Sequence, residues 1–134
     1  MERQWLRFGR FNAVGLLGAA LQLMVFYSLM RALDLPAAAA AFVAVEAAVL
    51  HNFFWHERFT WRDRQTAGLR QRAVRLGRFH AANALVSLAG NTAVAALLVD
   101  WLHAPAIPSA LAAIALCAPV NFLLADRWVY SGRG

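Results

Sequence analysis

The sequence predicts an all-α membrane protein: four transmembrane helices built as two parallel two-helix repeats, with the N and C termini cytoplasmic. Three observations lead there. Apolar residues make up 61% of the chain and charged residues 15%, against roughly 45–50% and about 25% in soluble domains. The apolar residues fall into four runs, each near the ~20 residues a spanning helix needs. The arginines are spread unevenly around those runs, which sets an orientation.

The formal net charge is +6, and all 13 basic residues are Arg. A basic balance normally raises nucleic acid as a partner. Here the arginines separate apolar runs instead of covering a polar domain, and no nucleic-acid motif is present, so no nucleic-acid partner is expected. Cys117 is the one cysteine. That excludes an internal disulfide or a cysteine-cluster zinc site, and its apolar surroundings predict a buried small side chain.

The first span covers about residues 11–30. Arg3, Arg7 and Arg10 precede it as in a signal peptide, but the run exceeds the roughly 7–15 residues of a signal core and three further spans follow, so a retained helix is predicted. The second span, about 36–55, follows Pro36, and the fourth, about 106–125, is placed after Pro108. Proline suits the first turn of a helix. The third span runs over about 79–99. Pro119 inside the fourth is a candidate kink, tolerated where neighbours satisfy the freed carbonyl.

Twelve arginines flank the spans on one side: three in the N-terminal tail, seven between Arg58 and Arg78, and Arg127 and Arg133 at the C-terminal end; the opposite turns hold Arg31 alone. Excess Arg marks the cytoplasmic face. Trp5, Trp55, Trp61, Trp128 and Tyr130 fall at the same boundary, where amphipathic rings anchor in the headgroup layer.

The chain also repeats itself. RFGRFNA at residues 7–13 returns as RLGRFHA at 75–81, an offset of 68, and HNFFWHERFTW at 51–61 is echoed by VNFLLADRWVY at 120–130, an offset of 69. One residue is therefore inserted between the two matches. A single transmembrane domain over 1–134 follows, with repeat one at about 5–61, a basic cytoplasmic loop at about 62–74 and repeat two at about 75–130. Each unit holds an even number of spans, so the copies share one topology and form a parallel repeat.

Polar residues recur on helix faces. Asn12, Gly15, Ala19 and Gln22 share one face of the first helix; His80, Asn83, Ser87 and Asn91 share one face of the third. Such faces either pack helices closely or line a polar groove. Glu46 is an acid halfway along the second span, where an ionisable group is costly. It is either a neutral Glu hydrogen-bonded to Gln22 or Asn91, or a proton-coupling or cation-pairing group. His51, His56 and Glu57 do not make a helical metal motif, and no phosphate loop, nucleophile elbow or paired carboxylates occur, so no metal, no catalytic residues and no enzyme are expected. Arg10, Arg58, Arg78 and Arg127 recur at fixed distances from helix ends with an aromatic beside each. They serve either orientation alone or recognition of a lipid phosphate, with Asn52 and Asn121 just inside the boundary.

These motifs together are similar to those of the GtrA-like family of small four-span membrane proteins. The likeness covers both halves: RFxRFxxVGxxG at residues 7–18, FYxLxRxLxLP at 26–36, LxNFxxxxRFTW at 50–61 and NFxxxxRWVY at 121–130. The resemblance implies flipping of undecaprenyl-phosphate-glucose or a similar polyprenyl-phosphate-linked sugar across the bacterial inner (cytoplasmic) membrane for cell-envelope polysaccharide synthesis. It implies no cofactor. On this reading Arg10, Arg58, Arg78 and Arg127 hold the lipid phosphate, while Gln22, Glu46, Asn52, Asn83, Asn91 and Asn121 line the sugar's polar path. A glycosyltransferase partner and a homodimer or larger assembly are expected. The alternative is a non-transporting adaptor that recruits or stabilises a polyprenyl-phosphate glycosyltransferase.

Overall fold

A computed structural model describes residues 2–65 and 68–131. Arg133, counted above in the C-terminal tail, lies outside the described residues, and so does the side chain of Asn91. Among the described residues all regular structure is helical. Four stretches are long and apolar enough to cross a membrane: Arg3–Ala32, Ala37–Thr60, Leu69–Trp101 and Ile107–Val129. The chain is a multi-pass membrane protein. It divides after Gln65 into two units, each a helical hairpin.

In the first unit α1 (Glu2–Ala32) and α2 (Ala37–Trp55) are followed by a π turn at His56–Thr60 and a 3₁₀ turn at Arg62–Arg64. The hairpin reverses at Asp34, which takes a left-handed conformation at φ 47°, one that Asp tolerates better than most residues. The Leu35 N–H then reaches back to the Leu29 carbonyl at 3.4 Å. Pro36, at φ −55°, caps α2, and its carbonyl accepts the Ala40 N–H at 3.0 Å. Proline has no N–H to leave unsatisfied at a helix start, and its ring presets φ. The two helices meet through small side chains. α2 buries Ala40, Ala44 and Ala48 with Phe53, and α1 buries Phe11, Val14 and Gly18. In lipid, where burial of apolar groups is no driving force between helices, small residues let backbones approach for dispersion contact. The outer flanks, such as Leu16, Leu17 and Phe42, stay exposed.

In the second unit α3 (Leu69–Asn83) continues through a π segment at Ala84–Gly90, α4 (Asn91–Ala96) and a π turn at Leu97–Trp101; α5 (Ala106–Leu124) then leads into a π turn at Ala125–Val129. The local geometry of the first hairpin recurs 69 residues on. His103 is left-handed at φ 52°, the Ala104 N–H bonds the Leu98 carbonyl at 2.9 Å, and Pro105 caps α5 at φ −58°. Ser109, Ala113, Cys117 and Phe122 are the buried stripe, matching Ala40, Ala44, Ala48 and Phe53.

Several boundaries differ from expectation. The capping proline of α5 is Pro105, not Pro108, which sits inside the first turn. α5 runs through Pro119 without a break. α3 starts at Leu69, so Arg70 and Arg72 ride on a helix and not on a loop.

The inserted residue falls in a helix segment with a π interruption. The offset is 68 up to Phe79 and His80 and 69 from Leu98 onward, and the π segment Ala84–Gly90 lies between. α1 is α-helical throughout. A π turn closes i→i+5 bonds instead of i→i+4, so it houses one extra residue while the helix continues.

The π turns at the hairpin ends revise one reading. Trp61 and Tyr130 are fully buried, at 0% exposure, and do not anchor in the headgroup layer. Each closes its π turn: the Trp61 N–H bonds the His56 carbonyl, and the Tyr130 N–H bonds the Ala125 carbonyl, both at 2.8 Å. The wider turn swings the terminal ring back over the start of the hairpin, edge-on to Phe11 (centroids 6.0 Å apart) and to Phe79 (6.3 Å). Phe59 and Trp128, two residues earlier, are exposed.

Candidate functional site

The π turn and the 3₁₀ turn bring residues 60–63 back against the start of α1. Between them lies a cleft of about 370 Å³ lined by Arg3, Leu6, Arg7 and Arg10 from α1 and by Thr60, Arg62 and Asp63. This volume is within the ordinary range for a small-ligand site. Arg3, Arg7 and Arg10 follow one another at four and three residues, so they share one helix face. Arg7 donates from Nη2 to Asp63 Oδ2 at 2.8 Å. The Arg10 guanidinium lies 5.1 Å from the Phe59 ring centroid. Four guanidinium groups and one carboxylate leave the cleft strongly electropositive, and guanidinium is suited to bidentate contact with phosphate oxygens.

Of the four arginines predicted to hold phosphate, only Arg10 lines this cleft. Arg58 is exposed, with its guanidinium 4.2 Å from the Phe54 ring centroid. Arg78 and Arg127 are exposed on the second unit. There the position equivalent to Arg7 is Arg75, which is buried with its guanidinium 5.1 Å from the Tyr130 ring centroid. Sequence reasoning missed Arg3, Arg7, Arg62 and Asp63 as site residues. The signal available was the shared face of Arg3, Arg7 and Arg10.

The polar residues of the spans are placed as follows. Asn52 is half-buried; its amide oxygen accepts from His51 Nδ1 at 3.2 Å, and its amide packs on Gly18 so closely that a Cβ there would overlap it. Gln22, Glu46 and Asn121 are half-buried. Asn83 donates its amide to the Phe79 carbonyl one turn back, at 2.9 Å, as Asn12 does to the Phe8 carbonyl. His80 Nδ1, 68 residues past Asn12, bonds the Leu76 carbonyl at 3.1 Å. These three side chains satisfy their own helices, which is a packing use of polarity. His56, set aside in the sequence because it makes no metal motif with His51 and Glu57, proves to be core. It stacks on Phe11 at 4.9 Å and hydrogen-bonds Thr60 at 3.0 Å. Among the described residues no group of three or more His, Cys, Asp or Glu side chains is placed to hold a metal.

No curated protein matches the chain. The family model described as GtrA/DPMS, transmembrane domain, matches residues 10–130. That span runs from Arg10 on α1 to Tyr130 and contains both copies of the NF…R motif, and it ties the chain to membrane proteins concerned with lipid-linked sugars. The chain belongs to the GtrA/DPMS transmembrane-domain family.

Proposed function

We propose that the chain flips a polyprenyl-phosphate-linked sugar from the inner to the outer leaflet of the bacterial inner membrane, supplying cell-envelope polysaccharide synthesis or glycosylation. It makes or breaks no covalent bond. The observation that carries this reading is the arginine-lined cleft of about 370 Å³ at one end of a membrane-spanning hairpin, in a family concerned with lipid-linked sugars. Both termini and the basic segment face the cytoplasm on this reading, so the cleft opens at the inner headgroup level. The arginine bias supports that orientation.

Arg10 receives the phosphate, with Arg58, Arg78 and Arg127 drawing the anionic headgroup toward the inner face. Asn52, Asn121, Gln22, Asn83, Asn91 and Glu46 offer hydrogen bonds along the spans, and the prenyl chain stays in lipid. The two hairpins act as parallel repeats. Four thin helices enclose little volume, so the working unit is a homodimer or larger, and a glycosyltransferase uses the delivered donor. The test is leaflet-resolved movement of a labelled polyprenyl-phosphate sugar in proteoliposomes. Movement no faster than in empty liposomes, with a glycosyltransferase still co-purifying, assigns the chain to the adaptor role instead.

A further inference from the structure

The two hairpins share turns, caps, buried stripes and closing aromatics, yet the cleft belongs to the first. Three of its charged side chains have no equivalent in the second unit: Gln71 stands where Arg3 would be repeated, Ser131 where Arg62 would be, and Gly132 where Asp63 would be. A fourth, Arg7, is replaced in role, because Arg75 is buried beneath Tyr130. The Arg7–Asp63 pair is itself lopsided. The Arg7 side chain is 18% exposed and that of Asp63 55%. The arginine is held in the wall of the cleft while the carboxylate faces water, so the carboxylate can leave at little cost. A part-exposed pair of this kind is weak, whereas a phosphate shared among several guanidinium groups is bound by charge-assisted, bidentate hydrogen bonds.

We propose that Arg3, Arg7, Arg10 and Arg62 form a phosphate-binding site confined to the first hairpin, in which the Asp63 carboxylate occupies Arg7 until a phosphate group displaces it. The site recognises a phosphate group, carried either by a lipid or by a soluble ester. The assignment of a lipid source rests on the function proposed above; the site itself does not. Asp63 then acts as an internal competitor that sets the threshold for capture. Among the described residues, no side chain of the second hairpin lines this site.

The test is binding by the full chain. Inorganic phosphate is titrated against the protein in neutral detergent, and farnesyl phosphate is titrated into phosphatidylcholine nanodiscs holding it, at constant ionic strength. Arg10→Gln is expected to weaken binding about tenfold, a typical loss for a hydrogen bond to a charged group. Asp63→Asn is expected to tighten it by about two- to fivefold, the worth of a part-exposed ion pair. Arg70→Gln, which removes an exposed arginine of α3, is expected to leave it unchanged. Binding of farnesyl phosphate at least as tight as that of inorganic phosphate supports the site with a lipid source; tighter binding of inorganic phosphate supports it with a soluble one. The proposal is overturned if neither probe binds, if Arg70→Gln costs as much as Arg10→Gln, or if Asp63→Asn weakens binding. No transport is measured, so a failed flipping assay leaves these outcomes readable, and a failed binding assay leaves flipping open to its own test.

Discussion

Gly18 and Asn52 are packed against each other across the first hairpin: the amide of Asn52 fills the space where a side chain on Gly18 would begin. The contact fixes the approach of α1 and α2 one helical turn from the His56 cluster. It also gives the NF motif of α2 a structural use besides any polar contact with a ligand.

Gly18→Ala should therefore destabilise the hairpin by about 1–3 kcal/mol, the usual cost of overpacking. Asn52→Ala in the same chain should recover most of that loss, because the two positions share one contact. Unfolding by sodium dodecyl sulfate in mixed micelles reads both. A double variant no more stable than Gly18→Ala alone would show that the collision is relieved elsewhere.

The closing aromatics should separate sharply from the exposed aromatics two residues earlier. Trp61→Ala removes a fully buried ring and should cost about 3–5 kcal/mol. Phe59→Ala removes an exposed ring that touches the Arg10 guanidinium, worth about 0.5–1 kcal/mol. Thermal unfolding in detergent decides, and equal losses would contradict the burial of Trp61.

The π segment makes a topological prediction. Deleting Leu85, within Ala84–Gly90, lets α3 run on into α4 with ordinary i→i+4 bonds, and should leave helicity and melting temperature nearly unchanged. Deleting Leu16 from the uninterrupted α1 turns everything on one side of the cut by about 100°. Phe11 and Gly18 can then no longer face α2 together, and the protein should melt far lower. Circular dichroism melts of the two deletions test this; equal damage would mean that the extra residue is not accommodated by the π segment.

Much of this was legible in the sequence. Four spans follow from hydropathy and length, and the prolines mark the second helix of each hairpin. The repeat in the letters has counterparts in Asp34 and His103, Pro36 and Pro105, and Phe53 and Phe122. The π turns were not legible, because hydropathy does not register a change from i→i+4 to i→i+5. Everything that depends on them was misread or missed. Trp61 looked like an interfacial anchor until the π turn folded it inward. Arg3, Arg7 and Arg62 looked like topology signals until the same turn brought Asp63 back to Arg7. On α1, Phe11, Val14 and Gly18 form the packed face, while Asn12 and Gln22 are half-buried and Asn12 bonds its own helix.

The half-buried amides near the helix ends should matter to passage more than to folding. Asn52→Ala with Asn121→Ala should retain membrane insertion while lowering transport of a polyprenyl-phosphate sugar by about tenfold, a hydrogen bond or two per sugar. Transport unchanged in the double variant would reduce both residues to packing groups.

The most direct measurement is leaflet-resolved transport with purified components. A labelled polyprenyl-phosphate sugar is placed in one leaflet of proteoliposomes holding this chain alone, and its arrival in the other leaflet is followed with an impermeant probe. Movement well above empty liposomes is expected for the native chain, reduced about tenfold by Arg10→Gln and unaffected by Arg70→Gln. Native-chain movement indistinguishable from empty liposomes would rule out flipping by this chain alone.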